Sequence, residues 1–101
     1  MVDNIRPLDA EAAGVGSILI DGRCLPVVEQ LLRPEDLALE VNRAIYRAAL
    51  ALRRENRPID PVLIQEEAGR QGTKLETAYL LELMDTTPTA QNVEAYAKIT
   101  R

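Results

Sequence analysis

The side chains best able to do chemistry in this sequence are paired carboxylates. Such pairs can hold a divalent metal ion or share acid–base work when a third ligand or a base converges on them. The pairs are Glu35 with Asp36, Glu66 with Glu67, and Glu82 with Asp85. Adjacent Glu66 and Glu67 would point in different directions on a helix, and Glu35 and Asp36 lie at a helix entrance, where acids are expected. Glu82 and Asp85 share a helix face, but with no third ligand or base nearby we interpret them as solvated surface charges.

Nucleophilic and phosphate-binding chemistry is equally poorly supported. Ser17 is the single serine, Cys24 is the single cysteine, and histidine is absent. Without histidine, neither a Cys/His zinc site nor an imidazole-based triad can be built. The stretch "AGVGS" is followed by no lysine and preceded by no strand, as a phosphate-binding loop would require. The sequence therefore predicts no catalytic, cofactor or metal site.

Composition limits the remaining functions. The chain has 101 residues, which indicates one domain with one core, and with three Tyr and no Phe or Trp the core must be aliphatic. Its net charge is −4, and no basic stripe is visible, which disfavours direct binding to nucleic acid. No signal peptide or membrane-spanning run is recognisable, so we expect a soluble cytoplasmic protein with no membrane contact.

The elements that position these residues are predicted to be helices, because apolar residues recur at helical spacing. The first helix, "PLDAEAAGVGSILID", has Asp9 as a cap or first-turn acid. A second follows in "RCLPVVEQLL", and a third covers residues 39–55. The predicted buried faces are Leu8, Ala12, Val15, Ile18 and Leu19 in the first helix, and Val41, Ala44, Ile45, Ala48 and Leu52 in the third.

Two glycines in the first helix suggest close packing. Gly14 and Gly16 each cost about 1 kcal/mol relative to alanine in a helix interior. We therefore predict that another element approaches closely at both positions. On this hypothesis, Gly16→Leu should cost more than about 1 kcal/mol of stability.

Three more helices are predicted in the second half. The fourth begins with Asp60 as N-cap before Pro61 and ends at Gly72. The fifth, in "LETAYLLELMD", and the sixth, capped by Thr89, supply the last apolar faces. The inward residues are predicted to be Leu75, Ala78, Tyr79, Leu83 and Met84 in the fifth helix, and Val93, Tyr96, Ala97 and Ile99 in the sixth.

From Pro7 onward the sequence contains, in this order, "DAE" with "VGSILID", "PED", "RAIYRAALAL", "RPID", "RQGTKLE", "AYLLEL" and "TPTAQNVEAYAKI". In their order and spacing these pieces resemble the N-terminal domain of DnaB-type bacterial replicative helicases. The sequence departs from the family at Leu37 and Ala38, where an aromatic pair is usual, and at Asn42, where histidine is common. A Gly-Gly turn before "AYL" is also missing.

The resemblance implies an all-α fold, a small orthogonal bundle of about six helices. Residues 1–101 would form one collar domain, with residues 1–6 flexible and residues 89–101 starting a helix that leads into a hairpin this chain lacks. The chain would then be an N-terminal fragment of a longer helicase. ATP and Mg²⁺ would belong to a downstream motor domain, so this chain would be non-enzymatic and would need no cofactor.

The resemblance also implies protein partners within a bacterial replisome. They are neighbouring copies in the collar of a helicase hexamer, the C-terminal domain of primase and, as a further candidate, a helicase loader. Asp9 in "LDAE" and Tyr79 in "AYL" are the candidate partner-binding residues. The alternative interpretations are a helix cap for Asp9 and a ring at the core edge for Tyr79.

Two other functions are consistent with parts of the sequence. A stand-alone phage- or plasmid-type protein could mimic the collar as an adaptor or inhibitor, and a stop codon after Arg101 would favour it. A small metal-dependent hydrolase built on the acidic residues would instead show a thermal shift with Mg²⁺ or Mn²⁺.

Overall fold

The computed structural model describes residues 7–87 and 92–100. Within these ranges the chain forms six α-helices and two short 3₁₀ turns and has no β-strand, which confirms the predicted all-α class. The helices are α1 (Pro7–Ile20), α2 (Leu25–Leu31), α3 (Glu40–Arg54), α4 (Pro61–Arg70), α5 (Thr77–Thr86) and α6 (Val93–Thr100), and the 3₁₀ turns are Gly22–Cys24 and Pro34–Asp36. The predicted flexibility of residues 1–6 and the predicted cap at Thr89 concern positions outside the described residues.

Helix α1 occupies the centre of the bundle, where it packs against α3, α5 and α6. Helix α2 packs against α6, and α4 packs against α3. The core is aliphatic, as predicted, since Ile18, Leu25, Ile45, Leu52 and Ile64 are all at most 1% exposed. Burial of each such side chain contributes about 2 kcal/mol, so this cluster dominates the stability of the fold.

Helix α4 begins and ends at residues whose side chains favour helix termini. The Asp60 carboxylate accepts a hydrogen bond from the Leu63 backbone N–H at 2.8 Å, and Pro61 occupies the first helical position. Gly72 follows the helix with a φ of 98°, a conformation that a residue with a Cβ adopts only with strain. The predicted start and stop signals of this helix are therefore confirmed.

Two predicted inward residues point outward instead. Leu8 is 54% exposed because the neighbouring helices cover α1 only from Ala10 onward. Ala78 is exposed because the buried face of α5 passes through Leu80 and Leu83, and a residue two positions before Leu80 lies on the opposite side of a helix.

The two glycines of α1 differ in their surroundings. A Cβ added at Gly16 would lie 2.8 Å from the Leu83 carbonyl oxygen and 3.0 Å from Thr87 Cβ, so the predicted close approach of another element is confirmed there. At Gly14 the nearest atom to an added Cβ is Tyr96 Cβ at 3.9 Å, an ordinary van der Waals distance. The prediction of obligatory close packing is therefore wrong for Gly14.

Replacing Gly14 with alanine is expected to stabilise the protein by about 0.5–1 kcal/mol, because alanine restricts the unfolded chain and favours the helix without a steric clash. Gly69→Ala in α4 is a suitable second test, since no atom lies within 4 Å of its added Cβ. Urea unfolding measures both changes. A loss of stability for Gly14→Ala would contradict the local geometry.

None of the helices within the described ranges is long and apolar enough to cross a membrane.

Candidate protein-interaction site

The carboxylates singled out from the sequence do not form a reactive cluster. Glu82 and Asp85 are exposed, as is Glu66. Glu67 is 8% exposed, and its carboxylate accepts hydrogen bonds from Arg70 at 2.5 Å and from Gln71 at 3.0 Å. In residues 7–87 and 92–100, no three His, Cys, Asp or Glu side chains converge as metal ligands.

Neither Ser17 nor Cys24 is placed to act as a nucleophile. Ser17 is fully buried, and its hydroxyl donates to the Ala13 carbonyl oxygen at 2.8 Å. Burial raises the pKa of the Cys24 thiol to about 11. Since the thiolate is the reactive form, Cys24 is a weak nucleophile at neutral pH.

A buried carboxylate connects α1 to the start of α3. Glu11 is 3% exposed. Its two oxygens accept hydrogen bonds from the backbone N–H groups of Ala38 at 2.5 Å and Leu39 at 3.0 Å, and one of them also accepts from Asn42 Nδ2 at 2.8 Å. A negative charge is favourable near the N-terminus of α3, where the helix dipole is positive.

Asn42 extends this arrangement to α5. Its side-chain oxygen accepts a hydrogen bond from the Tyr79 hydroxyl at 2.6 Å, while its amide group donates to Glu11. Burial is the main cause that raises the pKa of Tyr79, and the nearby charge of Glu11 also contributes. Glu11, Asn42 and Tyr79 thus form one hydrogen-bonded chain across three helices, called here the polar network.

The segment before α3 is held from both sides. Glu11 binds its N–H groups, and the Arg43 guanidinium donates to the carbonyl oxygens of Leu37 at 2.7 Å and Ala38 at 3.2 Å. These backbone N–H and C=O groups, which would otherwise need water as a hydrogen-bond partner, are therefore bound by side chains. This fixes the position of the exposed Leu39 relative to Tyr79.

The two predicted partner-binding residues each lie in the first turn of a helix. Asp9 is an exposed acid in the first turn of α1, within one turn of Glu11. Tyr79 lies in the first turn of α5, partly exposed, and is joined to Glu11 through Asn42. Whether either residue contacts a partner remains a prediction.

Two exposed aliphatic residues are linked to Glu11 of the polar network. Leu39 is 44% exposed and its N–H is bound by Glu11, while Leu8 is 54% exposed and lies one turn before Glu11 on α1. We call Tyr79, Leu39 and Leu8 the Tyr79 surface, whereas Asp9, two positions before Glu11, lies on the opposite side of α1. Apolar and amphipathic groups on a rigid support are typical of a protein-interaction site.

Sequence reasoning missed Glu11 and Asn42, although a signal for both was present. Glu11 shares the helical spacing of Val15 and Ile18, and Asn42 shares that of Ile45 and Leu52. A polar residue on an apolar stripe must find partners when the stripe is buried. The pattern indicates that such residues need partners, but it does not identify them.

The departures from the resembled family leave the fold intact. Leu37 is 2% exposed and belongs to the main core cluster, so it fills its site without an aromatic ring. Asn42 is fully buried and both donates and accepts a hydrogen bond.

A family model and individual relatives both match this chain to DnaB-type helicases. The family model described as "DnaB-like helicase N terminal domain" matches residues 4–101. The chain is 34% identical over 97 residues to the replicative DNA helicase DnaB of Geobacillus stearothermophilus, a match that covers 93% of this chain and 21% of the relative. The chain therefore spans about a fifth of the length of that curated relative.

Two solved structures share this fold. The N-terminal domain of DnaB helicase from Mycobacterium tuberculosis superposes with a TM-score of 0.84 at 32% identity, over 90% of this chain and 65% of that one. The corresponding domain from Helicobacter pylori gives a TM-score of 0.77 at 23% identity, over 93% of this chain and 76% of that one. The second match supports the fold alone.

Proposed function

Because this chain belongs to the DnaB-like helicase N-terminal domain family, we propose that it is the non-catalytic protein-interaction domain of a replicative DNA helicase. It contributes to the collar of the hexamer and recruits the C-terminal domain of primase. The observation that carries the proposal is the family match over residues 4–101. The structure of the Helicobacter pylori domain was described together with that protein's interactions with primase, so primase is the partner to test first.

The Tyr79 surface is the part of the molecule best suited to this role. The Tyr79 hydroxyl is already bound to Asn42, so the exposed part of the ring is what remains for a partner. Rings held in one orientation lose little conformational entropy on binding, which favours affinity. Exposed Leu39 and Leu8 supply further apolar contact area.

The same proposal assigns no reaction to this chain. In this proposal ATP hydrolysis and Mg²⁺ binding belong to a motor domain outside this chain, which spans about a fifth of the matched relative. Self-association and contact with a helicase loader are further roles of the domain in the bacterial cytoplasm. A net charge of −4 agrees with protein partners rather than direct contact with nucleic acid.

Tyr79→Ser is expected to weaken binding to the primase C-terminal domain by at least tenfold, because it removes the partly exposed ring. Tyr79→Phe keeps the ring and loses only the hydrogen bond to Asn42, so it should bind within about threefold of the unmodified chain. Titration calorimetry of the 101-residue chain against the cognate primase domain measures both.

Leu81→Ser is the matched control. Leu81 lies on the same helix, is 55% exposed, and points to the opposite side from Tyr79. Its substitution should leave the affinity within about twofold. Equal losses for Tyr79→Ser and Leu81→Ser, with both proteins folded by circular dichroism, would contradict the placement of the site.

A further inference from the structure

The three residues that lead into α3, residues 37–39, belong to no helix, and their backbone is extended at Leu37 and Leu39. Their N–H groups are nevertheless all bound within the protein. Leu37 donates to the Pro34 carbonyl oxygen at 3.1 Å, and the other two residues donate to the Glu11 carboxylate. This segment therefore has no N–H group to offer to a partner.

The three carbonyl oxygens of the same segment are bound as well, all of them by α3. The Leu39 oxygen accepts from the backbone N–H groups of Asn42 at 3.1 Å and Arg43 at 3.0 Å. The Arg43 side chain reaches the other two, with Nε donating to the Leu37 oxygen at 2.7 Å and Nη2 to the Ala38 oxygen at 3.2 Å. A backbone whose donors and acceptors are all bound internally has little freedom to open, so the segment is rigid.

This hydrogen bonding decides how a partner can recognise the segment. A partner that adds a β-strand needs unbound N–H and C=O groups along an extended chain, and residues 37–39 have no unbound N–H group. Recognition must therefore use side chains. Leu37 is 2% exposed, whereas Leu39 is 44% exposed, so Leu39 is the large side chain that the segment presents.

Leu39 is also placed next to the ring of the Tyr79 surface. It precedes Asn42 by three positions at the start of α3, and the Asn42 side chain binds the Tyr79 hydroxyl at 2.6 Å. A leucine on a backbone that is already ordered loses less conformational entropy on binding than one on a mobile loop.

Arg43 holds this segment from a largely covered position. Its side chain is 32% exposed, and besides the two carbonyl oxygens it contacts Glu40 at 2.9 Å. A guanidinium has five N–H donors in a planar fork, so one side chain can bind two carbonyl oxygens and a carboxylate together. A lysine ammonium is a compact charge on a flexible stem and does not reproduce that geometry.

From these contacts we propose that Arg43 is a positioning residue for partner binding. It holds residues 37–39 in one conformation, so that the Leu39 side chain enters an apolar pocket of the partner without prior ordering. The inference rests on the proposed function, in which the partner is the primase C-terminal domain. Arg43 acts through Leu39 and does not itself contact that partner.

Arg43→Lys keeps the positive charge and the pairing with Glu40 but loses the fork that spans the two carbonyl oxygens. Titration calorimetry against the primase domain should show binding weakened by at least about fivefold. Arg47→Lys is the matched control, because Arg47 lies one turn further along α3 and pairs with the same Glu40 at 3.1 Å. It should leave the affinity within about twofold. Equal losses for the two variants would overturn the inference.

A double-mutant cycle tests whether Arg43 acts through Leu39. Leu39→Ser alone should weaken binding by at least about tenfold, and adding Arg43→Lys to it should cost no more than about a further twofold. Full additivity of the two losses would mean that Arg43 contacts the partner directly, and would contradict a positioning role.

Backbone order in the free chain separates this inference from the proposed function. Amide order parameters of Ala38 and Leu39 should be about 0.85 in the unmodified chain and in Arg47→Lys, and should fall towards about 0.6 in Arg43→Lys. Unchanged values in Arg43→Lys would overturn the positioning role even if primase binds. Failure of the unmodified chain to bind primase would instead overturn the proposed function and the role of Leu39 in it, while the order parameters still decide whether Arg43 holds the segment.

Discussion

Replacing Glu11 with alanine is expected to destabilise the fold by about 3 kcal/mol. The substitution removes the acceptor of three donors, the N–H groups of Ala38 and Leu39 and the amide of Asn42. Asn42 is fully buried, so its amide cannot recover a hydrogen bond from water, and an unsatisfied buried donor costs about 1–3 kcal/mol. Urea unfolding followed by circular dichroism measures the loss.

Glu11→Gln separates shape from charge. The glutamine side chain has the same size but offers one carbonyl oxygen and brings its own N–H₂ group towards three donors, so about 2 kcal/mol should still be lost. Glu82→Gln, an exposed position on α5, should stay within about 0.5 kcal/mol. A Glu11→Gln protein as stable as the Glu82→Gln control would show that the polar network does not stabilise the fold.

Gly16→Leu is expected to cost about 3 kcal/mol, and Gly16→Ala about 2 kcal/mol, although alanine is the better helix former. An added Cβ meets the Leu83 carbonyl oxygen at 2.8 Å, and this is backbone that cannot rotate away. Thr87 is 5% exposed, and its hydroxyl is bound to the same carbonyl at 2.7 Å, so it has no free space to move into. The clash must separate α1 from the end of α5.

The matched control is Gly14→Ala, the same substitution two positions earlier on the same helix. It should stabilise the protein, so the two alanine variants are expected to differ in sign. Urea midpoints at constant m-value test this. If both variants shifted stability in the same direction, the close approach at Gly16 would be refuted.

The sequence predicts the helices well because helical spacing and caps are local properties. Asp60 and Pro61 set the start of α4. The hydrogen bond that caps the helix joins Asp60 to Leu63, only three positions away. Errors arose where a neighbouring element decides the outcome. Leu8 has the right spacing but lies beyond the reach of the covering helices, and Gly14 and Gly16 look alike in sequence but face different neighbours.

The contacts that hold Tyr79 in place could not be predicted from the sequence. The family resemblance directed attention to Asp9 and Tyr79, but the residues that hold Tyr79 in place are Asn42, 37 positions away, and Glu11, a further 31 positions from Asn42. Long-range pairings of this kind depend on how the helices pack.

We propose that the Tyr79 surface of this domain binds the C-terminal domain of primase. The most direct test is to titrate unlabelled primase domain into the ¹⁵N-labelled 101-residue chain and to record backbone amide shifts. We expect saturable shifts in the first turns of α1 and α5 and at Leu39, with no shifts around Arg23, Arg53 and Arg57 at the opposite ends of α1 and α3. Shifts confined to Arg23, Arg53 and Arg57, or no shifts at millimolar primase domain, would contradict it.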